Sequence, residues 1–191
     1  MESLSTTETN VTKNEPQLRF PEFDGKWERI KLSEKCSFFS GGTPISSNKK
    51  YYSGNIPFIG SGEIHNNTTL KKITDEALNN SSAKLVEKGD ILYALYGATS
   101  GEVSISKING AVNQAVLCIK TNSINNYLLS EILNFNKGKI IAKYLQGGQG
   151  NLSSSIVRSL NFHLPKLPEQ QKIANFLTQV DRKIELLDKQ Q

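Results

Sequence analysis

The chain has 191 residues, 37% of them hydrophobic, and a formal charge of +5. That is room for one well-buried domain with appendages rather than two full domains, and the modest cationic excess admits an acidic partner such as nucleic acid without requiring one. With no run of about 20 apolar residues and no secretory leader, neither a membrane span nor export is expected; Cys36 and Cys118, far apart and without neighbouring ligands, suit a reducing cytoplasm better than a disulfide or zinc site.

Residues 1–15 are rich in Ser, Thr, Asn and Glu without apolar periodicity and read as a disordered tail. Apolar residues then alternate in Leu18–Pro21 and Trp27–Leu32, predicting half-buried strands with Trp27 as a core anchor. Gly41-Gly42-Thr43-Pro44 breaks the pattern and opens a polar loop that ends in Tyr51-Tyr52. Ile56–Ile59 predicts a short buried strand, followed by a turn at Gly60-Ser61-Gly62. Ser81–Val86 reads as a helical turn, and Glu87–Asp90 as a tight turn feeding a strong strand over Ile91–Tyr96. Gly97–Gly101 turns the chain into a strand over Glu102–Ser106; Asn109-Gly110 signals a hairpin, and Ala115–Ile119 closes the meander. Helical periodicity follows in Tyr127–Phe135 and Lys139–Leu145, and again in Ser153–Ser159 after the loop Gln146–Asn151, before Leu160–Leu164 returns as strand.

The last segment has the clearest signature. Pro165 and Pro168 fit the start of a helix, because proline lacks the amide hydrogen but has a helix-ready φ, and Glu169 puts negative charge at the helix's positive end. Ile173, Leu177, Val180, Ile184 and Leu187 recur at alternating steps of four and three, a heptad seam suited to a partner helix. A stripe laid on the chain's own domain is the competing reading. The predicted fold is therefore α+β: a twisted, mostly antiparallel sheet with a few helices, followed by a protruding helix of coiled-coil type.

No catalytic constellation is present. Asn55-Ile56-Pro57-Phe58 superficially resembles the motif with which adenine methyltransferases grip a flipped base, but Ile56 spoils it, and no glycine-rich strand-to-helix turn is available to cradle a nucleotide cofactor. His65 and His163 lack neighbours at metal or triad spacing. We expect no catalytic residue, no metal and no cofactor.

What remains is a set of glycine-bordered polar loops. They carry Thr43, Ser46, Lys49, Lys50 and Tyr52; Ser61; Tyr96 and Thr99; Asn113 and Gln114; Gln149 and Asn151. Amides pair bidentately with adenine, lysines reach guanine or phosphate, hydroxyls do either, and glycine permits close backbone approach. Loops of this composition also serve merely as sheet turns.

The succession Trp27-x-x-x-x-Leu32, Gly41-Gly42-Thr43-Pro44, Ile56-Pro57-Phe58, Gly62-Glu63-Ile64, Gly89-Asp90-Ile91-Leu92-Tyr93, Gly97-Ala98-Thr99, Gly110–Ala115, Gln146-Gly147-Gly148, Asn151-Leu152-Ser153 and Leu164-Pro165-x-Leu167-Pro168-Glu169-Gln170 resembles the specificity subunit of type I restriction-modification systems. The resemblance implies a target recognition domain over residues 16–167 and the start of a conserved spacer helix over 168–191. It implies double-stranded DNA as a partner, read at one half of a split site, and methyltransferase and restriction (motor) subunits that supply adenine methylation and cleavage. It also implies pairing with a second recognition half or a second copy through the C-terminal helix. Where a complete subunit holds two such units this chain holds one, as part of a longer subunit or as a half-subunit. Two departures are visible: Ser100 stands where an aliphatic residue is usual, and Gln149-Gly150 replaces the commoner Thr-Gln. The alternative function is an oligomerisation module acting mainly through its last helix.

Overall fold

In a computed structural model, residues 16, 18–145 and 151–189 are described, and among them ten short strands and six helices alternate. In chain order they are β1 (Glu28–Lys31), α1 (Leu32–Lys35), β2 (Ser37–Ser40), β3 (Ile56–Ile59), β4 (Lys72–Ile73), α2 (Asp75–Asn79), β5 (Lys84–Val86), β6 (Ile91–Ala94) and β7 (Val103–Ile105). There follow β8 (Gly110–Val112), β9 (Val116–Lys120), α3 (Asn126–Phe135), α4 (Lys137–Tyr144), α5 (Ser154–Ser159), β10 (Asn161–Leu164) and α6 (Leu167–Asp188). The α+β expectation holds, with the strands divided among three sheets: a β1–β10 ribbon, a four-stranded sheet in the order β2-β9-β6-β7, and another in the order β4-β3-β8-β5. All pairings are antiparallel except that of β3 with β8.

Period-two alternation explains how the sheets stack. From β6 and β9, Ile91, Tyr93, Leu117 and Ile119 face one core, beneath α3, α4 and α5, together with Leu129, Leu133, Ile140 and Val157. Leu92, Ala94, Val116 and Cys118 face the opposite way and meet Ile59, Val86 and Val112 of the second sheet. That sheet in turn sends Phe58, Ile73 and Ala111 outward to a third cluster with Tyr51 and Ala77 of α2. The layers thus run helices, sheet, sheet, helix. Burial pushes the Cys118 thiol up to about 12, so it packs as an apolar group.

Five local expectations are corrected. Leu18–Pro21 forms no strand; Arg19 instead reaches across to Glu169 of α6, its Nε and Nη2 donating to the carboxylate at 2.7 Å each. Trp27 is half-buried rather than a core anchor, and its indole N–H donates to the same carboxylate at 3.3 Å. Ser81–Val86 is not helical: the helix lies earlier, in α2, where the Thr74 hydroxyl caps the Ala77 amide at 3.1 Å, and Lys84–Val86 is strand. Asn109-Gly110 makes no hairpin, because β8 leaves β7 for the other sheet. There Gly110 lies so close to β3 that a Cβ would stand 2.7 Å from the Pro57 carbonyl oxygen. The meander is likewise replaced: β9 inserts between β2 and β6. The proposed tail, residues 1–15, lies outside the described residues.

Candidate nucleic-acid interface

Strand direction gathers the polar loops at one end of the body. Because β3 and β8 run parallel, their last residues, Ile59 and Val112, finish side by side. In the neighbouring sheet Ser40 at the end of β2 and Ala94 at the end of β6 lie opposite Leu117 and Val116 at the start of β9. The loops that follow all four strands therefore share one edge, and Gly41 N donates to the Asn113 carbonyl at 3.2 Å across it. The opposite end holds the base of α6: Asn125, just beyond β9, donates its backbone amide to Gln170 Oε1 at 2.9 Å and its side-chain amide to Gln171 at 3.0 Å.

On the edge, the glycine pair is a steric requirement. A Cβ at Gly41 would fall 1.7 Å from the Val112 carbonyl oxygen, and one at Gly42 2.6 Å from the Ser82 Cβ. This close approach presses the loop after β2 onto β8 and brings the Thr43 hydroxyl to donate to Gln114 Oε1 at 2.7 Å. Beyond it Ser46, Lys49 and Lys50 are exposed, the lysines on a short 3-10 turn. Tyr52 is half-buried and braces the loop instead, its hydroxyl donating to the Pro44 carbonyl at 2.7 Å.

Asn113 is also partly spent, since its Oδ1 accepts from the Ala115 amide at 2.9 Å and shapes the turn. Gln114, Tyr96 and Asn151 are exposed, while Ser61 and Thr99 are half-buried in 3-10 turns. Asn151 is tethered to the edge by its neighbour Leu152, whose amide donates to the Leu95 carbonyl at 2.9 Å. Gln149 lies outside the described residues. The structure thus brings together Thr43, Asn113 and Gln114 directly, and sets Ser61, Tyr96, Thr99 and Asn151 on flanking loops of the same edge.

Several residues that stiffen the edge were not singled out from the sequence. Glu63 accepts from the amides of Gly60 at 3.3 Å and Leu70 at 2.8 Å, closing the loop after β3; its place three residues after a helix-start glycine was the available signal. Glu102 links three elements, accepting from Lys137 at 3.3 Å and meeting His65 Nε2 at 3.2 Å. Ser100 is buried and donates to the Leu95 carbonyl at 2.8 Å, which explains a hydroxyl where an aliphatic residue is usual. Among the described residues no three His, Cys, Asp or Glu side chains stand where they could share a metal ion.

The predicted seam of α6 divides in two. Ile173 and Leu177 are half-buried, Ile173 in an apolar groove with Phe20, Trp27 and Phe176, whereas Val180, Ile184 and Leu187 are 37, 51 and 62% exposed. No helix among the described residues is long and apolar enough to cross a membrane.

A layered α+β body with its polar loops at one end and a long helix based at the other is the fold of a type I target recognition domain. Residues 24–191 match the family described as type I restriction modification DNA specificity domain, and the chain belongs to that family. It is similar to the MjaIX type I restriction enzyme specificity subunit of Methanocaldococcus jannaschii, 29% identical over 177 residues, covering 86% of this chain and 40% of that protein. Similarity to the EcoR124I/EcoR124II specificity subunit of Escherichia coli is 25% identity over 214 residues, covering 97% and 52%. Among solved structures, the HsdS subunit from Thermoanaerobacter tengcongensis shares the fold with a TM-score of 0.66 at 18% identity, covering 93% of this chain and 42% of that one. A chain from a structure of type I R-M complex assembly and conformational transition gives 0.69 at 19% identity, covering 88% and 42%. The protein thus spans about half or less of these relatives.

Proposed function

We propose that the chain is a non-catalytic recognition unit that reads one half of a bipartite site in double-stranded DNA. In this reading residues 16–167 form the recognition domain and 168–191 begin the spacer helix. Partner methyltransferase and motor-nuclease subunits supply adenine methylation and cleavage, and α6 joins the unit to a second recognition half or a second copy. The observation that carries the reading is the convergence of four strand ends, whose exposed amide, hydroxyl, tyrosine and lysine groups form one continuous edge in a member of a DNA specificity family. Gln114, Thr43, Lys49 and Lys50 are the groups of that edge best placed to meet a duplex, with Asn113 and Tyr52 shaping it.

The test is binding to duplexes selected from a random pool. Gln114→Ala is expected to weaken the selected sequence by about 1 to 3 kcal/mol and leave random DNA nearly unchanged, while Lys49→Gln with Lys50→Gln weakens both alike. Binding by the parent chain that shows neither sequence preference nor salt dependence would sink the proposal. A second reading, docking through α6 as the main activity, is favoured by the exposed Val180, Ile184 and Leu187 stripe and is compatible with the first.

A further inference from the structure

A cleft on the flank of the body, lined by cations, lies outside both the loop edge and α6. In the β1–β10 ribbon, Ile30 and Phe162 face the core, so the alternate pairs, Arg29 with His163 and Lys31 with Asn161, come out on the solvent side. Across from them, Lys139 and Lys143 lie one turn apart on α4, both exposed. Arg29, Lys139 and Lys143 line one cleft, which among the described residues no carboxylate lines. Its amides and hydroxyl are largely spent within the wall: Asn136 donates to the Ile132 carbonyl at 2.7 Å, Asn161 to that of Ser159 at 2.7 Å, and Ser159 to that of Ile156 at 2.8 Å. The charge left facing out is cationic.

Some cations of the body are answered locally, Lys137 by Glu102 at 3.3 Å, Lys120 by Asp90 at 3.0 Å and Lys172 by Glu22 at 3.1 Å. Among the described residues Arg29, Lys31, Lys139 and Lys143 join no ion pair. A cluster of like charges without counter-charge is unfavourable for the isolated body, and an anionic ligand removes that cost. Two helices that line the cleft, α4 and α5, also adjoin the loop that follows β6. α4 rests on Gly101 through Lys137 and Ile141, where a Cβ would meet the Ile141 Cδ1 at 3.1 Å and the Lys137 Cγ at 3.3 Å; α5, whose Ser159 closes the cleft, begins beside Leu152 and its bond to Leu95. A ligand long enough to leave the edge over this flank passes across the cations.

Resting on the DNA-recognition reading above, we infer that this cleft holds backbone phosphates of the duplex outside the stretch the loops face, through Arg29, Lys139 and Lys143. Such interactions add affinity and fix orientation but carry no sequence information. The experiment measures affinity of the 191-residue chain for random and selected duplexes across salt concentrations, for the parent and the triple variant Arg29→Gln, Lys139→Gln, Lys143→Gln. The log–log slope is expected to become shallower by about 0.9 for each phosphate no longer neutralised, with the same fractional loss of affinity on every sequence. The three single variants, each shallower by about 0.9, keep the test open should the triple variant not fold. Unchanged slopes in folded variants overturn the cleft assignment alone, including the outcome in which they lose an acidic partner protein instead. A loss confined to the selected sequence overturns it too, and a parent chain that binds no duplex overturns the proposed function with it.

Discussion

The two ends of α6 are held in different ways. Its first turns are clamped: Glu169, only 3% exposed, takes the Arg19 guanidinium and the Trp27 indole, Gln170 donates to the Pro165 carbonyl at 2.8 Å, and Phe20 meets Phe176 edge-on at 5.9 Å between centroids. Farther along, the Tyr127 hydroxyl donates to Asp181, while Val180, Ile184 and Leu187 stand exposed on their own stripe. An exposed apolar row at heptad spacing contributes little to the stability of the isolated domain. The domain fixes where the helix starts and in which direction; the apolar stripe of its distal turns is left exposed.

Breaking the clamp should have the largest effect. Glu169→Ala takes the carboxylate from beside a guanidinium whose side chain is only 17% exposed, and should destabilise the fold by about 3 kcal/mol in urea unfolding. A loss below about 0.5 kcal/mol would mean the base of the helix is not clamped by charge. At the other end Ile184→Ser with Leu187→Ser should leave unfolding within about 0.5 kcal/mol of the parent yet abolish any self-association seen by sedimentation. Retained association would place the stripe outside the pairing surface.

The smallest expected effect sharpens the middle of the helix. Burial, with the Asp181 charge adding to it, raises the Glu131 carboxyl above its ordinary range. A raised folded-state value means that the protonated form is favoured in the fold; its contribution is complete below the ordinary carboxylate value and is lost as pH rises through the folded one. Glu131→Gln should therefore stabilise the protein at neutral pH, with the gain vanishing on acidification. A gain independent of pH would show that the substitution acts by packing.

The sequence made the elements with strong local signals readable. Ile91–Ala94 is apolar on both faces because it lies between two cores, and Pro168 with the following stripe marks α6. Pairing was less legible. Asn109-Gly110 has the composition of a hairpin, but Asn109 instead accepts the Lys88 amide at 2.8 Å and the strand after it joins another sheet, a choice made by distant partners. At the candidate interface, composition pointed to the loops, and the fold separates Gln114, which is exposed although its Oε1 accepts from Thr43, from Asn113 and Tyr52, which are half-buried with polar atoms engaged in shaping the edge. The Arg19–Glu169 pair, joining residues 150 positions apart, carried no local signal at all.

Strand β6 feeds the cores on both of its faces, through Ile91 and Tyr93 on one side and Leu92 and Ala94 on the other. Neither layer can melt while the other persists, because the same short segment is the wall of each. Unfolding is therefore expected to be a single cooperative event, with the amide hydrogens of this strand the last to exchange with solvent.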